Sequence, residues 1–133
     1  MKRIEHIGIA VSNLEISNKL YAKILNTKPY KIEKVDTEGV ITSFFKCSKT
    51  KIELLQGTNK DSAISKFIKK RGEGIHHIAF EVDDILFEMK RLKKLGFKII
   101  NEKPKKGADN KLICFLHPKS TNYVLIELCQ KIK

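Results

Sequence analysis

The sequence contains few of the residues that mark disordered, fibrous or disulfide-stabilised chains. Proline occurs 3 times and glycine 7 times in 133 residues, while 41% of the residues are hydrophobic, a balance that excludes a disordered tail or a fibrous repeat. Cysteine occurs only 3 times, and the odd count without close spacing predicts buried thiols in a reducing compartment rather than disulfides. No apolar run approaches the ~20 residues of a membrane span. These absences predict one cytoplasmic domain spanning residues 1–133.

Basic residues outnumber acidic ones, but arginine is rare. The chain has 27 Lys and Arg against 15 Asp and Glu, a net charge of +12, and only three of the basic residues are Arg. Because Arg leads in the recognition of base edges, its scarcity counts against sequence-specific binding of nucleic acid. The lysines alternate with apolar residues in KFIKK and KRLKKLGFK, as on solvated helix faces. The charge therefore predicts a small anionic substrate rather than a nucleic acid or a membrane.

One pattern occurs twice along the chain. HIGIAVSNL at 6–14 returns as HIAFEVDDI at 77–85, and KIELLQ at 51–56 returns as LIELCQ at 125–130. Each copy thus begins with a histidine at the head of an apolar strand and ends with the motif I-E-L-x-Q. Two copies indicate a duplicated supersecondary unit rather than a solenoid.

The hydrophobic periodicities of the two copies predict the order βαβββ–α–βαβββ, an α+β fold. The spacing of Ser12 and Glu15 predicts a capping box before the first helix, and Gly96 is expected to end the second. A strand is predicted at 97–102, ahead of strands at 111–116 and 124–130. The predicted bounds are 3–57 for module one, 61–71 for the linker helix and 74–131 for module two.

Two histidines and two glutamates occupy matching positions in the copies. His6 and His77 open apolar strands, and Glu53 and Glu127 lie in strands that are otherwise apolar. A buried carboxylate is costly unless it is paired, so each glutamate should face a cation or a donor. Two imidazoles and two carboxylates without a thiolate fit an octahedral divalent ion, namely Co, Ni, Mn or Fe, and Zn is also compatible. Such a site keeps two positions open for substrate oxygens, as in a catalytic centre.

Five longer stretches extend this pattern over nearly the whole chain: EHIGIAVSNL, TKIELLQ, DSAISKFIKKRGEGIHHIAFEVDDI, FLHPKS and VLIELCQ. They resemble the vicinal-oxygen-chelate superfamily, which includes glyoxalase I and methylmalonyl-CoA epimerase, and they resemble the epimerase branch most closely. The resemblance implies a curved mixed sheet around a metal site. It selects His77 over His76 as a ligand. His76 and His117 are expected to be structural, because a lone histidine is more often a structural residue than a ligand. It also implies that Glu127 acts as a base on an α-carbon proton.

Further implications of the resemblance concern the substrate and the second base. The HPKS turn, residues 117–120, is more specific to the epimerase branch than to glyoxalase I, and we expect Lys119 and Ser120 to bind CoA there, with Lys119 at a phosphate. Thr42 stands where some epimerases have a second catalytic glutamate, and a threonine is not a base near neutral pH. Glu53 is then the candidate for the second base, if it can leave the metal.

Three activities are consistent with these residues. The first is epimerisation of methylmalonyl-CoA or a similar 2-substituted acyl-CoA, through an enolate stabilised by the metal. The second is lactoylglutathione lyase (glyoxalase I) activity on a methylglyoxal–thiol hemithioacetal, which Glu53 favours and the HPKS turn disfavours. The third is a non-catalytic binding module, which the presence of all four metal ligands disfavours. The resemblance also implies a homodimer, with the site either within one chain or across two.

Overall fold

The computed structural model describes all 133 residues, and its elements follow the predicted order βαβββ–α–βαβββ. The α+β assignment is confirmed. None of the three helices combines the length and the apolarity that a membrane span needs. Single 3-10 turns occupy Asp36–Glu38 and Pro118–Ser120. The strands and helices, in chain order, are β1 Arg3–Ala10, α1 Leu14–Leu25, β2 Lys31–Val35, β3 Val40–Cys47, β4 Thr50–Gly57, α2 Ala63–Arg71, β5 Gly74–Glu81, α3 Ile85–Lys94, β6 Lys105–Lys106, β7 Lys111–Leu116 and β8 Ile126–Lys131.

The chain divides into two compact units, one formed by residues 6–76 and the other by residues 1–5 together with 77–133. In the unit 6–76, β1 pairs in parallel with β4, and β3 pairs antiparallel with both β4 and β2. In the other unit, β5 pairs in parallel with β8, and β7 pairs antiparallel with both β8 and β6. Each copy therefore builds a mixed sheet in which its first and last strands are parallel neighbours.

Both faces of the sheet in the unit 6–76 carry apolar clusters. Adjacent residues of a strand point to opposite faces, which separates the side chains of Ile9 and Ala10. The cluster around α1 contains Val11, Leu14, Phe45 and Leu54. The cluster around α2 contains Ala10, Val40, Leu55 and Ile64.

The unit containing residues 77–133 has its main core beneath α3. Helical spacing places three α3 residues, Ile85, Met89 and Leu92, on one buried face. Gly96 follows the helix with φ +95, the left-handed conformation expected where a glycine ends a helix. The core cluster contains Val82, Ile85, Met89, Leu92, Cys114, Leu116 and Leu128.

The last residue of each I-E-L-x-Q motif caps a helix. The N–H of Leu14, which begins α1, donates to Gln56 Oε1 at 2.6 Å, and the N–H of Ile85, which begins α3, donates to Gln130 Oε1 at 2.7 Å. The first N–H groups of a helix have no acceptor within the helix, so each glutamine satisfies one of them. The glutamine that ends the motif therefore caps a helix in both copies, a role that the sequence alone did not suggest.

We predict that Gln130→Met, which keeps the side-chain length but removes the acceptor, lowers the free energy of unfolding by about 1 kcal/mol. Ile85 is 1% exposed, so water is a poor replacement for the lost acceptor. Urea denaturation measures the effect, and Gln56→Met provides the matched test in the other copy. Unchanged stability in both variants would show that these contacts contribute nothing to helix formation.

The first helix begins differently from the predicted capping box. Asn13, not Ser12, is the N-cap, and its side chain accepts from the N–H of Ile16 at 3.0 Å. The N–H of Ser12 donates to Glu73 Oε2 at 2.8 Å, so the carboxylate of a distant residue replaces Glu15 in the predicted box. Asparagine caps helices as well as serine does, which explains the shift by one residue.

The strand predicted at 97–102 is wrong. Ile99 forms only an isolated bridge with β7, and β6 is confined to Lys105–Lys106. Between them the Asn101 side chain accepts a main-chain N–H of β7 at 3.0 Å, replacing a strand carbonyl. Pro104 has no N–H to donate. Two main-chain hydrogen bonds of 2.8 Å, from Ile100 N–H to the Phe115 carbonyl and from His117 N–H to the Lys98 carbonyl, join this segment to β7, but the pairing does not extend into a strand.

No disulfide is formed among the cysteines, as predicted. Cys114 and Cys129 are buried, but Cys47 is exposed, so the prediction that all three lie in the core is wrong for Cys47. Burial, reinforced by the charge of Glu127, raises the pKa of the Cys114 thiol to about 12. This thiol therefore stays protonated and unreactive near neutral pH.

Candidate functional site

The strand register gives each copy one histidine–glutamate pair on a single sheet face. In the parallel pair β1–β4, Gly8 lies opposite Glu53, and His6 is two residues before Gly8. Residues two apart on a strand share a face, so His6 and Glu53 are diagonal neighbours. The pair β5–β8 repeats this arrangement with Ala79 opposite Glu127, which makes His77 and Glu127 diagonal neighbours.

Within each pair the histidine and the glutamate are in contact, and all four side chains are buried. His6 Nδ1 lies 3.0 Å from Glu53 Oε2, and His77 Nε2 lies 3.3 Å from Glu127 Oε1. The four residues are between 4% and 5% exposed. Gly8 and Ala79, the residues opposite the glutamates, are both small. Each glutamate thus has a polar partner nearby, as predicted, and in both copies that partner is the histidine of the same copy.

An aromatic ring flanks each glutamate from the other side. Phe44 on β3 lies opposite Glu53, and Phe115 on β7 lies opposite Glu127. The Phe115 ring also contacts His77 edge-on, with ring centroids 5.9 Å apart. Apolar walls of this kind restrict water and strengthen electrostatic interactions at the pairs.

Each pair offers donor atoms of the kind that divalent ions bind. Each unit contributes one imidazole nitrogen and one carboxylate oxygen, and neither pair includes a thiolate. This nitrogen and oxygen donor set suits Co, Ni, Mn, Fe or Zn. A carboxylate beside an imidazole can also accept a proton from a substrate carbon.

The HPKS turn is an ordered turn that its own residues stabilise. His117 Nδ1 accepts from the N–H of Lys119 at 3.1 Å, and the Ser120 hydroxyl donates to the His117 carbonyl at 2.8 Å. The Lys119 side chain is exposed. Twelve positions separate Phe115 from Glu127, whereas nine separate the matching Phe44 from Glu53, so the turn accounts for the extra length of the second copy.

His76 has a structural environment, as predicted. It contacts the Phe67 ring edge-on at 4.9 Å. Burial lowers the pKa of His76 to about 4, so its imidazole is neutral near pH 7.

Thr42 lies on the same sheet face as Glu53 and is 1% exposed. Its Oγ1 atom has no hydrogen-bond partner. Its neighbours across the ladder are Leu55 on β4 and Glu33 on β2. Sequence reasoning missed Glu33, although the alternation in KIEKV already places Lys31, Glu33 and Val35 on one face.

Sequence reasoning also missed a buried charge cluster in the unit that contains residues 1–5. Glu5 is 0% exposed, and its Oε2 lies 3.6 Å from the Nζ of Lys111, which is 4% exposed. Asp109 Oδ2 lies 3.1 Å from the same Nζ, and an Arg3 nitrogen lies 3.8 Å from Glu5. The pairing of a strand glutamate with a lysine more than a hundred residues away leaves no local signal.

Comparison with known proteins identifies the superfamily to which this chain belongs. A model of the Glyoxalase/Bleomycin resistance protein/Dioxygenase superfamily matches residues 5–115, and the chain belongs to this superfamily. Within it, the mitochondrial methylmalonyl-CoA epimerase of Dictyostelium discoideum is 42% identical over 130 residues, which cover 97% of this chain and 78% of that protein. The ethylmalonyl-CoA/methylmalonyl-CoA epimerase of Cereibacter sphaeroides is 39% identical, covering 96% and 97% of the two chains.

A solved structure agrees with these relatives. The methylmalonyl-CoA epimerase of Streptomyces coelicolor, in complex with 2-nitronate-propionyl-CoA, matches with a TM-score of 0.93 at 31% identity, covering 98% of this chain and 95% of that chain. The predicted superfamily and fold are therefore confirmed, and the similarity extends to methylmalonyl-CoA epimerases in particular.

Proposed function

We propose that the protein interconverts the two configurations at the α-carbon of methylmalonyl-CoA or a similar 2-substituted acyl-CoA. The observation that carries this proposal is the matched, buried histidine–glutamate contact in each copy, at 3.0 Å and 3.3 Å. The similarity to epimerases that act on methylmalonyl-CoA and ethylmalonyl-CoA supports the choice of substrate.

His6, Glu53, His77 and Glu127 are proposed to bind one divalent ion, Co, Ni, Mn, Fe or Zn. Their donor atoms and burial support this assignment. When bound, the ion supplies the positive charge that favours an enolate over the neutral thioester.

Glu127 is proposed to remove the α-proton. The C–H bond breaks, the proton passes to a carboxylate oxygen, and the electron pair moves into the adjacent carbonyl. Inversion then needs a proton on the opposite face of the α-carbon. Glu53, if it can leave the ion, is the second carrier that the sequence predicts.

Lys119 and Ser120 are proposed to bind the CoA portion. Lys119 is exposed on the HPKS turn, where its ammonium can pair with a phosphate. The Ser120 hydroxyl supports the turn through its hydrogen bond to His117 at 2.8 Å. The net charge of +12 favours the approach of such an anionic substrate.

An assay in deuterated water tests the proposed reaction. The protein is supplied in parallel with methylmalonyl-CoA and with the hemithioacetal of methylglyoxal and glutathione. Inversion with deuterium uptake at the α-carbon of methylmalonyl-CoA supports the proposal. Turnover of the hemithioacetal alone would instead indicate lactoylglutathione lyase activity. The carboxylate of Glu53 favours this alternative. Tight binding without turnover of either would indicate a non-catalytic binding protein.

Metal content provides an independent prediction. The purified protein is expected to carry one divalent ion per complete site, and His77→Ala is expected to lose most of it because one of four ligands is removed. At 100-fold excess of ion over Kd, binding should stabilise the wild-type protein by about 2.7 kcal/mol. Elemental analysis and thermal denaturation measure these effects, with His117→Ala as the control. Equal metal content in His77→Ala and wild type would contradict the assignment.

The homodimer that the resemblance implies and the cytoplasmic location that the composition predicts both stay predictions. Light scattering coupled to gel filtration tests the first, and fractionation of cells tests the second.

A further inference from the structure

Inversion at carbon requires a proton carrier on each face of the substrate. Glu53 is an awkward second carrier, since its carboxylate contacts His6 at 3.0 Å and is also a proposed ligand of the ion. A carboxylate near Glu53 that binds no ion would avoid this conflict.

The strand register places one such carboxylate on the face of Glu53. Glu53 lies opposite Phe44, and Thr42 shares the face of Phe44 because it is two residues away on β3. Thr42 lies directly opposite Glu33 on β2. Residues directly opposite in an antiparallel pair have Cβ atoms about 4.5–5.5 Å apart. Glu33 is therefore the carboxylate beside Thr42.

Contacts hold the Glu33 carboxylate over this face. Glu33 Oε1 lies 3.2 Å from Lys31 Nζ, and Lys31 Nζ lies 4.8 Å from the centroid of the Phe44 ring. Since Phe44 lies opposite Glu53, the ion pair sits on the same face as the His6–Glu53 contact. The Glu33 side chain is 34% exposed, so its carboxyl group can exchange protons with water between turnovers.

We propose, on the basis of the proposed function, that Glu33 is the second proton carrier and thereby replaces a base at Thr42. In this direction the cycle starts with Glu33 protonated by water and Glu127 ionised. After Glu127 has taken the α-proton, the Glu33 carboxyl O–H bond breaks and its proton forms a new C–H bond with the electron pair of the enolate. The cycle ends with Glu33 ionised and Glu127 protonated, and water restores both groups. In the reverse direction Glu33 removes the proton and Glu127 returns it.

Stereospecific exchange in deuterated water tests this assignment. Each epimer of methylmalonyl-CoA is incubated separately with wild type and with Glu33→Gln. In the variant we expect inversion to fall about 10²–10⁴-fold. The epimer whose hydrogen faces Glu127 should still exchange that hydrogen with retention of configuration, whereas the other epimer should cease to exchange.

Two variants serve as controls. Asp36→Asn removes another carboxylate of the same hairpin, 84% exposed and 3.7 Å from Lys34, and should leave inversion unchanged. Lys31→Gln removes the ion pair that positions Glu33 but keeps the carboxylate, so it should lower inversion by much less than Glu33→Gln does. A loss in Lys31→Gln equal to that in Glu33→Gln would assign the effect to the ion pair and overturn the proposal.

Other outcomes separate this inference from the proposed function. If wild type inverts methylmalonyl-CoA and Glu33→Gln does so equally well, the role of Glu33 is refuted while the function stands. If Glu53→Gln instead shows exchange of a single epimer, the second carrier is Glu53. If wild type neither exchanges nor inverts methylmalonyl-CoA, both proposals fail.

Discussion

Replacing Glu127 by Gln is expected to lower the rate of epimerisation of methylmalonyl-CoA by about two to four orders of magnitude. The epimer whose hydrogen faces residue 127 should lose its α-proton exchange. Glutamine keeps a side-chain oxygen of similar position, so it can still contact His77, but its amide does not accept a proton near neutral pH. The substitution therefore removes the base while it preserves most of the local packing.

Metal content distinguishes loss of the base from loss of the ion. Glu127→Gln should retain a substantial part of the ion of the wild-type protein, because an amide oxygen can replace a carboxylate oxygen as a ligand. Glu102→Gln, at an exposed glutamate on a loop, is the control and should epimerise at the wild-type rate. Normal inversion by Glu127→Gln would remove Glu127 from the mechanism.

The selection of His6, Glu53, His77 and Glu127 was possible from the sequence because the duplication supplied two independent copies of one signal. A lone histidine or glutamate in a strand is usually structural or exposed to solvent. Here, however, each copy has a histidine in its first strand and a glutamate in its last strand. The structure adds a register that composition does not reveal: Glu53 and Glu127 lie opposite the residue two positions after their histidines. The repeated glutamine of the motif was equally visible, yet its role as a helix cap depends on where the helix begins.

Features that depend on strand neighbours rather than on repetition were not predictable. Glu33 gains its proposed importance only through its position opposite Thr42 on an edge strand. The absence of the strand predicted at 97–102 has a similar cause, since the Asn101 side chain accepts a hydrogen bond that a main-chain carbonyl would accept in a strand. Both cases require knowledge of which strands are adjacent, and hydrophobic periodicity does not provide it.

Replacing Lys111 by Met is expected to lower the free energy of unfolding by about 3–5 kcal/mol. The Lys111 side chain is 5% exposed and its ammonium lies 3.6 Å from the carboxylate of Glu5, which is 0% exposed. Without the ammonium, the Glu5 carboxylate keeps its desolvation cost but loses a buried partner. Arg3 lies 3.8 Å away, but its side chain is 30% exposed and so offsets less of the cost. Urea denaturation measures the loss.

A double-mutant cycle shows whether the loss of stability arises from the Glu5 carboxylate that remains buried without the ammonium of Lys111. Replacing both residues, as Glu5→Leu with Lys111→Met, should recover most of the lost stability, because a buried ion pair is often no more stabilising than apolar side chains of similar volume. Lys131→Met is the matched control: Lys131 lies opposite Lys111 in the β7–β8 register, but its side chain is 69% exposed. It should change the free energy of unfolding by less than about 0.5 kcal/mol. If the double variant is as unstable as Lys111→Met alone, the lysine stabilises the fold through packing of its alkyl chain rather than through its charge.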